Sequence, residues 1–138
     1  MTTAIPLTLH LLVLIGLYEL AAGIAGFTGR IDWRAMMDEF ERSPSLSFVT
    51  GFMVFVIGGV MIMSHHHWTD LLADIVSLIA WIALIEGLLI MIAARPLLVF
   101  FRPVVVSQRA ISIFAALFGV ILILLGLTGR ADPTSILR

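Results

Sequence analysis

Four long apolar stretches, separated by short polar connections, dominate the chain. They cover residues 5–27, 46–63, 71–94 and 111–127. A helix needs about 20 apolar residues to cross the hydrocarbon core of a bilayer, and its backbone groups must be hydrogen-bonded within the segment. The period-two alternation of a membrane-barrel strand is absent. The pattern predicts an all-α, polytopic membrane protein, with four transmembrane helices arranged as two hairpins in one membrane domain, 1–138.

The first connection, 28–45, is expected to contain a helix lying along the membrane surface. Its apolar side chains recur at helical spacing, on one face: Trp33, Met36, Met37 and Phe40. Such a face is typical of interfacial helices. The second connection, 64–70, is a short polar turn. The third, 95–110, is bounded by arginines and is also expected at the interface.

Composition agrees with a membrane location. The chain is 61% hydrophobic and 12% charged, with a mean hydropathy of +1.14, whereas soluble domains are about half apolar and about a quarter charged. The lipid bilayer is therefore the expected partner, and a net charge of −1 gives no reason to expect nucleic acid. Cysteine and lysine are absent, which excludes thiolate and Schiff-base chemistry.

Arginine placement predicts the topology. Six of the eight basic residues lie in connections 28–45 and 95–110, and two lie after the last stretch. The positive-inside rule then predicts that both connections are cytoplasmic and both termini outside, in the inner (plasma) membrane. Residues 1–6 lack a positive n-region, so no cleavable signal peptide is expected.

The two halves of the chain show similar features at a nearly constant spacing. Four pairs of positions coincide, the first two 67 and the last two 68 residues apart: Glu19 with Glu86, Arg42 with Arg109, Gly51 with Gly119, and Gly58 with Gly126. This predicts a parallel internal repeat, about 5–64 and 71–128, with a pseudo-twofold axis along the membrane normal. The alternative is a chance resemblance between apolar sequences.

Two acidic residues inside membrane stretches are the clearest candidates for function. Glu19 and Glu86 are each expected slightly to the cytoplasmic side of a helix midpoint, where an ionisable group costs about 2.5–3.5 kcal/mol. Gly16 and Gly23 share a helical face with Glu19, which indicates close helix packing there. The pair forms either a proton or cation site or a set of polar packing contacts that includes Tyr18.

The turn between the second and third stretches carries histidines and an aromatic side chain. It contains His65, His66, His67, Trp68 and Asp70. Histidine and aspartate can bind zinc or copper, but three consecutive imidazoles do not converge on one metal. A polar turn with Trp68 in the aromatic belt is the preferred interpretation, so no metal or cofactor is predicted.

Two further residues lie in the third stretch. Asp74 is expected to interact favourably with the dipole at the helix N-terminus. Trp81 is expected to fill the bundle core.

Residues 40–96 resemble a family of small bacterial integral membrane proteins with four predicted helices and no established activity. The resemblance rests on a set of spaced motifs: Glu39-Phe40, Pro44, Gly51, Gly58, His65-x-x-Trp68, Trp81, Gly87-Leu88-Leu89 and Pro96. It implies a four-helix topology and a shared role for the His-x-x-Trp turn. Ala80 and Glu86 depart from the family pattern, in which glycine and a basic residue are common at these positions.

These features predict a non-enzymatic membrane component that associates with itself or with a larger complex. The alternative is a small proton or cation transporter or channel that uses Glu19 and Glu86. An enzyme acting on lipid through the 65–67 histidines and Asp70 is a third, weaker hypothesis. No catalytic motif of a nucleotide-binding protein, serine hydrolase or zinc protease occurs in the chain.

Overall fold

A computed structural model describes residues 2–3, 6–65, 67–103 and 107–131. These residues form five helices and two short strands: β1 (Thr2–Thr3), α1 (Pro6–Phe27), α2 (Trp33–Arg42), α3 (Pro44–Ser64), α4 (Leu71–Phe101), α5 (Gln108–Thr128) and β2 (Arg130–Ala131). Helices α1, α3, α4 and α5 are long and apolar enough to span a membrane. The predicted all-α, polytopic fold is confirmed, and α2 occupies the segment where a surface helix was expected.

Polar caps set where several helices begin. Asp32 and Asp70 accept hydrogen bonds from backbone N–H groups in the first turns of α2 and α4, which satisfies donors that a helix N-terminus leaves free. Ser43 caps α3 in the same way, with Pro44 as the first helical residue, and Ser107 caps α5. Helices α3 and α5 therefore begin two and three residues before the predicted spans.

Helix α4 is longer than predicted and is bent. It continues to Phe101, but Ala93 departs from helical geometry (φ −147°, ψ 50°) and Pro96 follows it. Proline lacks an N–H donor and its ring clashes with the preceding turn, which explains the kink. The first part of the predicted third connection is thus a helical extension of α4.

The spanning helices pack as two antiparallel pairs, α1 with α5 and α3 with α4. Each half of the sequence contributes one helix to each pair. The strands β1 and β2 pair in parallel and lie at the same end as the α3–α4 turn. We call this the terminal end (residues 2–3, 65–70 and 129–131) and the opposite one the arginine-rich end (residues 28–43 and 94–108).

Glycines bring the helices of each pair into backbone contact. A Cβ atom on Gly51 would lie 2.8 Å from Gly87 O, and one on Gly119 would lie 2.6 Å from Gly16 O. The predicted packing role of the glycine rows agrees with these contacts. Gly23, Gly58 and Gly126 are buried against backbone atoms in the same way.

The two pairs meet mainly along α1 and α4. A buried cluster joins them toward the terminal end: Leu12, Leu72, Val76 and Leu122, all at most 1% exposed. Ile15 and Ile79 pack against this cluster one turn further along their helices. The contact between the pairs, here called the seam, is therefore closed by apolar side chains on the side of the terminal end.

Candidate functional site

Glu19 and Glu86 both lie along the seam. On α1, Glu19 follows Leu12 and Ile15 at helical spacing, and on α4, Glu86 follows Val76 and Ile79 on the equivalent stripe. The two carboxyl groups are close enough to interact electrostatically, and both act on the Tyr18 hydroxyl. The structure thus brings together the three residues singled out in the sequence.

The seam opens where these acids lie. Leu12 and Val76 are fully buried, whereas Glu19 is only half-buried, Glu86 is exposed and Tyr18 is 70% exposed. Within the part of the chain that the structure describes, neither carboxyl group receives a hydrogen bond or forms an ion pair. Two carboxyl groups consequently face the membrane interior at the surface of the bundle.

The packing glycines do not share the side of α1 that carries Glu19. Gly16 and Gly23 lie directly against α5, at Gly119 and Ala116. Glu19 is turned from that contact toward the seam. Close packing of α1 on α5 thus orients Glu19 but leaves its carboxyl group accessible.

A second polar cluster lies at the terminal end, around His65. The imidazole is fully buried, with Nε2 2.7 Å from the Thr8 hydroxyl and Nδ1 3.4 Å from the Ser77 hydroxyl. Ser77 donates to the His67 carbonyl at 2.8 Å, so its oxygen is the acceptor for Nδ1–H. Nε2 then accepts from Thr8. Both ring nitrogens of His65 are therefore engaged within the bundle.

The remaining residues of the turn do not join that cluster through their side chains. Trp68 is 58% exposed, His67 is exposed with its ring edge-on to His65, and Asp70 caps α4. His66 lies outside the described residues. No group of three or more His, Cys, Asp or Glu side chains that could hold a metal ion occurs in the described ranges.

Asp74 and Trp81 differ in how they meet expectation. Asp74 lies in the first turn of α4, as predicted for a charge at a helix N-terminus. Its Oδ1 atom is buried without a hydrogen-bond partner among the described residues. Trp81 is 42% exposed, so the expectation that it fills the core is wrong. The glycine and alanine contacts of α4 with α3 leave no space for an indole between them.

An ion-pair network connects α2 to the kinked end of α4. Arg102 contacts Asp38 and also Glu41, the latter at 3.5 Å, and Arg95 Nε lies 3.3 Å from Glu41. The Ala93 kink brings both arginines to the surface helix. These contacts hold α2 against the bundle at the arginine-rich end.

No protein-family model, curated protein or solved structure matches the chain. Its function must therefore be argued from its own residues.

The sequence interpretation missed Gln108, which ties three elements together. Its side-chain amide donates to Gly26 O (3.0 Å) and Ile31 O (2.5 Å) and accepts from Trp33 N (3.0 Å). The Trp33 indole N–H donates to Ser112 at 3.2 Å. A polar residue directly after the Ser107 cap was the available signal, but its partners lie more than 70 residues away in sequence.

Proposed function

We propose that the chain is a non-enzymatic component of a bacterial inner membrane that associates with copies of itself through the open part of the seam. The exposure of Glu86 within a spanning helix carries this proposal. A carboxyl group facing lipid near the bilayer centre costs about 2.5–3.5 kcal/mol. A second copy that covers Glu86 and donates a hydrogen bond to it removes much of that cost.

Tyr18 supports the same interface. Its ring is 70% exposed beside Glu19 and Glu86, and a phenol provides both a donor and an acceptor. A twofold contact on this face places the same groups of the two copies opposite each other, so protonated carboxyl and phenol groups can bond across it. The apolar closure of the seam toward the terminal end leaves the interface centred on the acids.

Oligomeric state in lipid tests this proposal. Single-molecule photobleaching in vesicles should show oligomers for the native chain and mostly monomers for Glu86→Leu, while Glu86→Gln, which keeps hydrogen bonding, should stay associated. Leu117→Ala, at a 60% exposed position on α5, is the control and should not change the distribution. Equal association of the native chain and Glu86→Leu would contradict the proposal, as would a native chain that is monomeric at high density.

Proton or cation transport is the second candidate function. The proximity of two carboxyl groups within the membrane favours it, since paired acids exchange protons and bind cations. A pH-gradient flux in reconstituted vesicles that disappears in Glu19→Gln/Glu86→Gln would support transport. The same leak in native and variant vesicles would reject it.

We further propose that the two halves arose as an internal repeat. The helix contacts support this: Gly51 lies against Gly87 and Met91, and Gly119 lies against Gly16 and Leu20. In these contacts the first helices of the halves correspond at 71 residues (16 to 87, 20 to 91), not at the 67 that separates the acids. The packing equivalent of Glu19 is then position 90, one helical turn beyond Glu86.

The cytoplasmic placement of connections 28–45 and 95–110 is likewise a proposal, supported by their six arginines. Because the chain has no native cysteine, single-cysteine variants report cleanly. Arg30→Cys should resist a membrane-impermeant maleimide in intact cells, and Thr69→Cys should react. The reverse pattern would invert the topology.

A further inference from the structure

A cavity of about 490 Å³ lies at the arginine-rich end, between α2 and the kinked end of α4. Its lining is entirely charged: Asp38, Glu41, Arg42, Arg95 and Arg102. A second cavity of about 310 Å³ adjoins it, sharing Asp38 and Arg102 and adding Arg34 and Met37. The first cavity has the size of small-ligand sites in proteins.

The ion pairs leave positive charge available in this cavity. Asp38 and Glu41 are occupied by Arg102, and Arg95 reaches Glu41 through Nε. The Arg95 side chain is 80% exposed, which leaves its terminal amino groups accessible. Arg42 forms no ion pair within the described ranges. Three arginines against two acids give the lining a net positive charge, and guanidinium groups bind phosphate in a bidentate manner.

The surroundings of the cavity indicate where such a phosphate comes from. Beside it, α4 ends in exposed apolar side chains, with Val99 56%, Phe100 74% and Phe101 47% exposed. Buried Met37 lines the adjoining cavity. A charged cavity bordered by apolar surface at the end of spanning helices matches a lipid, whose phosphate is charged and whose chains are apolar.

We propose that this cavity binds the headgroup phosphate of a glycerophospholipid, with Arg42 and Arg95 as the phosphate-binding residues. Arg102 keeps α2 and α4 in place through Asp38 and Glu41. The two carboxylates also lie where an amine or hydroxyl of the headgroup can donate to them. The site is separate from the seam and does not depend on the function proposed for Glu86.

Delipidated protein in mild detergent provides the test. Titration with short-chain phosphatidylethanolamine or phosphatidylglycerol should raise the melting temperature of the native chain. The apparent affinity should fall at least fivefold in Arg42→Gln/Arg95→Gln. Arg30→Gln/Arg109→Gln removes the same charge at the same end of the molecule without touching the cavity, and should stay within twofold of the native chain. Single Arg42→Gln leaves every ion pair of the network intact and should lose affinity even if the double variant does not fold.

Three outcomes would overturn the proposal. Equal loss in the Arg30/Arg109 control would show a general charge effect. Unchanged affinity in Arg42→Gln and in the double variant would show that the cavity is not used. An equal rise in melting temperature with inorganic phosphate at the same concentration would assign a free-phosphate site, because the apolar border would then contribute nothing.

Discussion

The contact of Gly58 with α4 allows a sharp test of how the bundle is held together. A Cβ atom at this position would lie 2.4 Å from Leu84 N, 2.8 Å from Leu84 Cα and 2.9 Å from Ala80 O. All three are backbone atoms, so no side-chain rotation can relieve the overlap. To reach an ordinary contact of 3.4 Å, Gly58→Ala must separate α3 from α4 by about 1 Å.

The expected cost follows from that displacement. A gap of 0.5–1 Å removes roughly a quarter to a half of the dispersion energy of each affected contact, and overpacking typically costs about 1–3 kcal/mol. Replacing a helical glycine by alanine returns about 0.5–1 kcal/mol. Gly58→Ala should therefore lower the free energy of unfolding by about 1–2 kcal/mol.

The neighbouring Gly59 is a matched control. Its added Cβ would meet only Leu84 Cδ1, at 3.5 Å, so Gly59→Ala should be neutral or slightly stabilising. Unfolding by SDS in dodecyl-maltoside micelles, followed by tryptophan fluorescence, measures both variants. If Gly58→Ala proves as stable as Gly59→Ala, backbone contact between α3 and α4 does not hold this pair together.

Two further substitutions test the polar contacts that close the ends of the bundle. Thr8→Val removes the donor to buried His65 and should lower the free energy of unfolding by about 1–3 kcal/mol; Thr28→Val, which loses only exposed bonds within its own helical turn, should have little effect in the same assay, and equal losses would contradict a special role for the buried bond. Gln108→Leu removes three hydrogen bonds between α5 and the α1–α2 connection, so trypsin should cleave after Arg30 several-fold faster than in the native chain; an unchanged cleavage rate would show that Gln108 does not anchor the connection.

The spanning helices could be predicted because lipid leaves the backbone few choices. Apolar length alone located all four helices, and the spacing of Trp33, Met37 and Phe40 located α2. Helix ends were less accurate where a cap lay outside the apolar stretch, as at Ser43 and Ser107. The continuation of α4 beyond Ala93 was missed because Pro96 is usually read as a stop signal.

Tertiary partners were much harder to predict. Glycine spacing indicated close packing in α3 and α5, but the pattern on one helix does not say which other helix covers it. The exposure of Glu86 depends on how widely α1 and α4 separate along the seam. The burial of His65 depends on Thr8, 57 residues away in the chain. Such long-range pairings leave no local signal in a single sequence.

The pairing of α1 with α5 has a consequence for biosynthesis. Phe27 ends α1, and its partner begins only at Gln108, so at about 5–20 residues per second the ribosome needs roughly 4–16 s to supply it. Helices α3 and α4 are neighbours in sequence and can dock first. Throughout that interval the newly inserted α1 displays the groove at Gly16 and Gly23 to lipid, where an insertion factor or a neighbouring nascent helix can occupy it.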